Sequence, residues 1–200
     1  MISLGSDNHS GIHPNILSSL QASNVGHSAS YGTDPITDKA KKLFKEIFGD
    51  TCQSFFVFNG TAANVLALKS LVNSYESIIC AEDSHLNVDE CGAPENHIGC
   101  KLIKLPSPDG KIKAADILSV IIRKGDQHFS QVKAVSITQP TELGTMYSVD
   151  ELNEIKKNEE QLTIERALVP DLGIFLLSVD FTKVKRIYFS YYLTPESDDF

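Results

Sequence analysis

Tryptophan is absent from this 200-residue chain and methionine occurs twice. No apolar run approaches the roughly 20 residues that a membrane-spanning helix requires, so no helical span is expected. Cations are in short supply: 18 Lys and Arg stand against 26 Asp and Glu, a net charge of −8. That balance argues against a nucleic-acid binder, which meets phosphates with a basic face, and against an anionic-membrane binder. The N-terminus has no basic patch followed by a long apolar stretch, so no signal peptide is expected and a cytoplasmic location is. The four cysteines (Cys52, Cys80, Cys91, Cys100) form no C-x-x-C pair. They are expected to be small, mostly buried thiols in a reducing compartment rather than zinc ligands. His9 and His13 have i, i+4 spacing, but Gly11 between them and Pro14 after them oppose a helix, so no metal site is expected. There is no Walker loop and no G-x-G-x-x-G fingerprint.

The residues present alternate between helical and strand patterns as far as about residue 157. Pro14 to Leu20 reads as a short helix. Asp34-Pro35 opens a longer one, because Asp caps free N–H groups and Pro is pre-set for the first turn. Ile36, Ala40, Leu43, Phe44, Ile47 and Phe48 recur on one face of it, and Gly49-Asp50 ends it. Ser54 to Phe58 reads as a buried strand, and Ala62 to Val72 as an Ala/Leu-rich helix. Strands are then predicted over 77–80, 101–105 and 132–138. Helices are predicted over 84–91 and 114–123, and from Ser148 to Lys157, the last opened by a Ser148/Glu151 capping box. Strands alternating with helices at this rhythm predict an α/β fold with three layers, α/β/α, around a mainly parallel sheet. The 43 residues from 158 to 200 hold seven of the sixteen aromatics. They read as a divergent C-terminal segment with strands over 172–179 and 184–193, whose partners the sequence does not name. The domain reading is therefore 1–157 and 158–200.

In a parallel sheet, ligands collect at the carboxyl ends of the strands, and three segments fall there. Asn59-Gly60-Thr61-Ala62 lies between a strand and a helix. Gly60 lets a ligand approach the backbone, Thr61 adds a hydroxyl, and the helix end offers free N–H groups and a positive dipole end. This is a cradle for one phosphate; the plain alternative is a capped Asn-Gly turn. Ala81-Glu82-Asp83-Ser84-His85 places a histidine after the next strand. Its ring is suited to covering an aromatic cofactor or moving a proton; the plain alternative is a capping cluster of Asp83 and Ser84. Gln139 to Thr145 is a polar loop, either reaching a ligand or simply connecting.

These residues carry a resemblance. Five stretches run in order: Ser6-Asp7-Asn8 with His13-Pro14, Tyr31-Gly32-Thr33-Asp34-Pro35, Asn59-Gly60-Thr61-Ala62-Ala63-Asn64, Ala81-Glu82-Asp83-Ser84-His85, and Gln139 to Tyr147. Over roughly residues 2–157 the chain resembles the low-specificity threonine aldolases and related β-eliminating lyases, fold-type-I enzymes that use pyridoxal 5′-phosphate (PLP). The resemblance implies the truncated large domain of that architecture. It implies a phosphate held by Gly60, Thr61 and Ala62, and a pyridine ring covered by His85, which also takes part in proton transfer. It further implies a substrate carboxylate touched by Ser6, with Tyr31 near the site and close to a subunit boundary. The implied partners are a small amino-acid substrate and further copies of the subunit in a homo-oligomer. The implied reaction cleaves threonine, or a related β-hydroxy-α-amino acid, to glycine and an aldehyde.

The chain also departs from that family. The family's Asp-Gly-Ala-Arg segment, whose Asp pairs with the pyridine nitrogen, has no counterpart in Gln161 to Pro170; Arg166 and Asp171 lack its spacing. The glycine-flanked Schiff-base lysine is also missing, since Gly173 is the last glycine, and Lys183 and Lys185 read as a solvated charge cluster. Two alternatives therefore stand beside the lyase. One is a catalytically inactive truncated homologue, acting as a fragment or as partner of a full-length subunit. The other is a phosphate-binding module for a different nucleotide or sugar phosphate.

Overall fold

The computed structural model describes residues 9, 11–50, 52–162, 176–179 and 186–189. The chain opens with two capped helices. In α1 (Pro14–Ser23) His13 Nδ1 accepts the Asn15 N–H, so this histidine is a cap. In α2 (Pro35–Phe48) Asp34 Oδ1 accepts from the N–H groups of Ile36 and Thr37 at 3.0 and 2.8 Å, as the sequence predicts. The apolar face expected on α2 is present, but it is not buried: Ile36, Leu43 and Ile47 are exposed. Its ring contacts run from Phe44 to Phe48 and from Phe44 to Phe56.

Next come β1 (Cys52–Ser54), α3 (Gly60–Lys69), β2 (Glu76–Ala81), α4 (His85–Val88), α5 (Ala93–Ile98), β3 (Lys101–Leu105), α6 (Ala114–Val120), β4 (Gln131–Val135) and α7 (Val149–Leu162). The strand predicted over 54–58 is displaced. β1 ends at Ser54, and Phe55, Phe56 and Phe58 are exposed instead of buried. Among the described residues the paired register runs from Cys52 to Ser54. Helix α5 was not anticipated; Gly92 and Gly99, both in the left-handed region, bracket it. The predicted C-terminal strands appear as β5 (Leu176–Val179) and β6 (Arg186–Phe189), which with β1 form an antiparallel sheet in the order β1-β5-β6.

The sheet that positions the site is parallel, in the order β3-β2-β4. β2 lies in the middle, and from Ile78 to Ala81 it is apolar because both of its faces are covered. Ile78 and Cys80 face α3, α4 and α5 through Ala63, Ala67, Leu68, Leu86 and Ile98. Ile79 and Ala81 face α6 and α7 through Ile117 and Ile155. These two cores make the middle and outer layers of the expected α/β/α arrangement. Between β2 and β4 the register shifts by one residue, leaving Lys133 as the extra residue on β4.

Three cysteines, Cys52, Cys80 and Cys100, are buried free thiols; Cys91 is exposed. Desolvation pushes Cys80 and Cys100 up to about 11. Two loops at the carboxyl end of the sheet are stapled together. The Ile112 N–H donates to the Tyr147 hydroxyl at 2.8 Å, and Thr145 Oγ1 donates to the Asp109 carbonyl at 2.5 Å. Burial pushes the Tyr147 phenol up to about 12. At the start of α7 the capping box forms as predicted: the Ser148 N–H donates to Glu151 at 2.7 Å and the Glu151 N–H to Ser148 Oγ at 3.2 Å.

Two outcomes follow from these staples. Gly110 has φ +78, and a Cβ there would stand 2.4 Å from Thr141 Oγ1 and 2.8 Å from Thr141 Cβ. Gly110→Ala is therefore expected to lower stability by about 1–3 kcal/mol, read as a fall in the denaturant midpoint at unchanged slope. Glu151 is held down at about 2, first by its hydrogen bond from Lys111 at 2.7 Å and then by Ser148. A carboxylate depressed on folding contributes stability above its unfolded value of about 4.5, and that contribution fades as pH falls toward about 2. The Tm gap between the protein and Glu151→Gln is expected to be full at neutral pH and to close across that window. A gap that persists at the acid end would show that packing, not charge, sets it.

Candidate functional site

β2 ends at Ala81, and the chain turns through Glu82, Asp83 and Ser84 into α4, whose first residue is His85. The imidazole is held from behind. His85 Nδ1 lies 3.1 Å from Glu90 Oε1, and the same oxygen accepts from Asn64 Nδ2 at 2.5 Å. The Glu90 side chain is 0% exposed and the His85 side chain 32%, so the carboxylate is sealed while the ring keeps one open side. Asn64 is buried on α3, four residues after Gly60, and residues at that spacing share a helix face. The three side chains thus tie His85 to the first turns of α3, bringing together the two strongest candidates from the sequence.

The amino end of α3 follows from local chemistry. Asn59 is the N-cap in an extended conformation, and its Oδ1 accepts the Ala62 N–H at 2.9 Å. The first helical bond runs from the Ala63 N–H to the Asn59 carbonyl at 3.1 Å. That leaves the N–H groups of Gly60 and Thr61 with no acceptor among the described residues. Two free donors beside a hydroxyl at a helix amino end suit one anionic group. The Ala62 N–H, also expected to hold phosphate, is instead given to the Asn59 carboxamide oxygen.

The acidic turn before His85 is not the capping cluster considered from sequence. Ser84 Oγ donates backward to the Ala81 carbonyl at 2.8 Å, and Asp83 accepts from Ser107 Oγ. The Ser107 N–H donates to Glu82 Oε1 at 3.4 Å, so this turn is braced against the end of β3. The loop from Gln139 to Tyr147 is braced likewise, its Gln139 Oε1 accepting the Tyr147 N–H at 2.8 Å. Between these loops a small cavity of about 10 Å³ is lined by Asp83, Ser84, Ser136, Thr138, Thr141 and Tyr147, among others. A far larger open cleft, about 580 Å³, lies at the opposite, amino end of the sheet, beside Glu76, Lys101 and His128. It is remote in the fold from His85 and Gly60, which stand at the carboxyl end.

Tyr31 is fully exposed, with φ 62, and makes no hydrogen bond or ring contact to His85 or Gly60 among the described residues. Ser6, Arg166, Asp171, Lys183 and Lys185 lie outside the described residues. No group of three or more His, Cys, Asp or Glu fit to hold a metal occurs among the described residues. Sequence reasoning missed Glu90 and Asn64. Glu90 follows His85 by five residues, a spacing that signals no shared helix face, and Asn64 sits in a motif read for its backbone.

The arrangement fits a ligand that joins a phosphate to a flat ring: donors at the end of α3, and beside them an imidazole open on one side. Comparison with known proteins bears on the family. The family model for the beta-eliminating lyases matches residues 3–165. Over 158 residues the chain is 44% identical to the low specificity L-threonine aldolase of Pseudomonas sp. (strain NCIMB 10558), and 42% identical to that of Pseudomonas aeruginosa. Each match covers 78% of this chain and 46% of the relative, so the chain spans about half the length of the curated relatives it matches. The Leishmania major threonine aldolase superposes with a TM-score of 0.75 at 31% identity, covering 80% of this chain and 47% of that one. The tyrosine aminotransferase of Leishmania infantum, at 17% identity and a TM-score of 0.55, shares the fold alone, over 78% of this chain and 45% of that one. Threonine aldolases and β-eliminating lyases of this fold are PLP-dependent. With the matched segment spanning the cradle, the imidazole and the parallel sheet between them, this chain belongs to the β-eliminating lyase family of fold-type-I, PLP-dependent proteins.

Proposed function

We propose that the chain binds PLP at the carboxyl end of its parallel sheet and carries the phosphate-holding and ring-covering part of a threonine-aldolase-type carbon–carbon lyase site. The observation that carries this reading is the Asn64–Glu90–His85 link, which fixes a half-open imidazole against the helix whose end offers two free N–H donors. Gly60 and Thr61 would hold the phosphate, the Ala62 N–H being given to Asn59. His85 would cover the pyridine ring. Residues 1–157 supply this part of the site, and 158–200 form a divergent segment.

The substrate in this reading is L-threonine or another small β-hydroxy-α-amino acid. Ser6 holds its carboxylate, and Tyr31 stands near the site at a boundary between copies in a homo-oligomer of the cytoplasm. When bound, PLP supplies an electron sink for the pair left at Cα as the Cα–Cβ bond breaks. The protein's own part is the proton. His85 takes it from the β-hydroxyl while the carbon–oxygen bond becomes a carbonyl, and the departing aldehyde leaves glycine once Cα is reprotonated.

A specific observation favours a second reading for catalysis. The sequence from Gln161 onward contains neither the Asp-Gly-Ala-Arg segment nor a glycine-flanked lysine. The second reading is therefore that this stretch of chain holds the cofactor without catalysing by itself, acting as a fragment or partner of a full-length subunit.

Titration with PLP separates these readings. Binding is expected to raise stability by about 2.7 kcal/mol at a hundredfold excess over Kd. His85→Ala is expected to weaken binding about 2- to 10-fold, the worth of one ring contact. Borohydride treatment then distinguishes the two: cofactor that resists dialysis marks a working lysine, and cofactor that washes out marks the inactive homologue. A larger thermal shift with a nucleotide or sugar phosphate than with PLP would overturn the assignment.

A further inference from the structure

We infer that Glu90 is a positioning residue which, with Asn64 behind it, locks His85 in the Nδ1–H tautomer and leaves Nε2 as the proton-accepting nitrogen of the ring. Histidine alone does not specify which nitrogen carries its proton; the hydrogen bond made by one nitrogen decides the role of the other. Here the decision is made by a sealed group. Glu90 Oε1 receives the Asn64 carboxamide Nδ2, a donor, at 2.5 Å, and stands 3.1 Å from His85 Nδ1. With Glu90 taken as a carboxylate, which only accepts, both neighbours donate to it, and the proton sits on Nδ1. The His85 side chain is 32% exposed while that of Glu90 is 0% exposed. Asn64 is itself 3% exposed, and its Oδ1 has no hydrogen-bond partner among the described residues, so its place is set by the donor it gives to Glu90. The value of this tautomer for chemistry rests on the lyase reading above: a lone pair on Nε2 is what accepts the β-hydroxyl proton. The tautomer itself does not depend on that reading.

The test uses the full chain with ¹⁵N-labelled histidine and no cofactor, above the titration of the imidazole. Long-range ¹H–¹⁵N correlation reports which nitrogen is protonated, and the His85 signals among the six histidines are identified by their loss in His85→Gln. The expected spectrum has a protonated Nδ1 and a bare Nε2 at His85. In Glu90→Gln, whose amide can donate or accept, the preference is expected to collapse to a mixture or to reverse. A wild-type spectrum with Nε2 protonated overturns the inference, as does an unchanged Nδ1–H form in folded Glu90→Gln. Should that variant not fold, the wild-type spectrum decides alone. Because no cofactor is present, failure to bind PLP in the separate titration would sink the functional reading without touching this result.

Discussion

The carboxylate of Glu90 sits where no water reaches it, between the first turns of α3 and the start of α4. A charge in such a place is tolerated only with committed hydrogen-bond partners. Asn64 and His85 both meet its Oε1, and they come from the two elements that the candidate site must hold in register. Withdrawing either leaves the carboxylate under-satisfied, which in buried pairs costs about 3–5 kcal/mol. The amino end of α3 and the imidazole therefore do not drift independently. The spacing between the amino end of α3 and the imidazole is held by one buried side chain.

The rest of the carboxyl end is built around the same need for rigidity. β2 is covered on both faces, so its end, and the turn leading from it, starts from a fixed point. The turn is braced by Ser107, and the loops that frame it are pinned by Tyr147, Thr145 and Gln139. The amino-terminal helices are held differently. α1 and α2 have well-made caps yet no buried residue, and Ile36, Leu43 and Ile47 remain exposed. Local propensity and capping form those helices; tertiary packing forms the sheet.

How much could be read from the sequence follows the same division. The Asp34-Pro35 opening, the Ser148/Glu151 box and the run from Lys101 to Leu105 declare themselves locally, and the structure contains them as read. The strand placed over 54–58 is displaced, because a strand is defined by its pairing and burial, and aromatic content alone specifies neither. Helix α5 escaped notice because its two glycine brackets resemble an ordinary loop. At the candidate site, motif position singles out Gly60, Thr61 and His85. It passes over Glu90, whose importance arises from burial and from an oxygen shared by two partners, neither of which has a linear signature.

The bonds that bring cradle and ring together span short stretches of chain: 26 residues from Asn64 to Glu90 and five from His85 to Glu90. Closing loops of that length costs little entropy, and local contacts form early and quickly. The stretch from α3 through β2 to the turn after α4 thus sets its own internal geometry. The anchor of the site is assembled by neighbours in sequence rather than by distant segments meeting late, and it travels as a unit wherever that short stretch of chain goes.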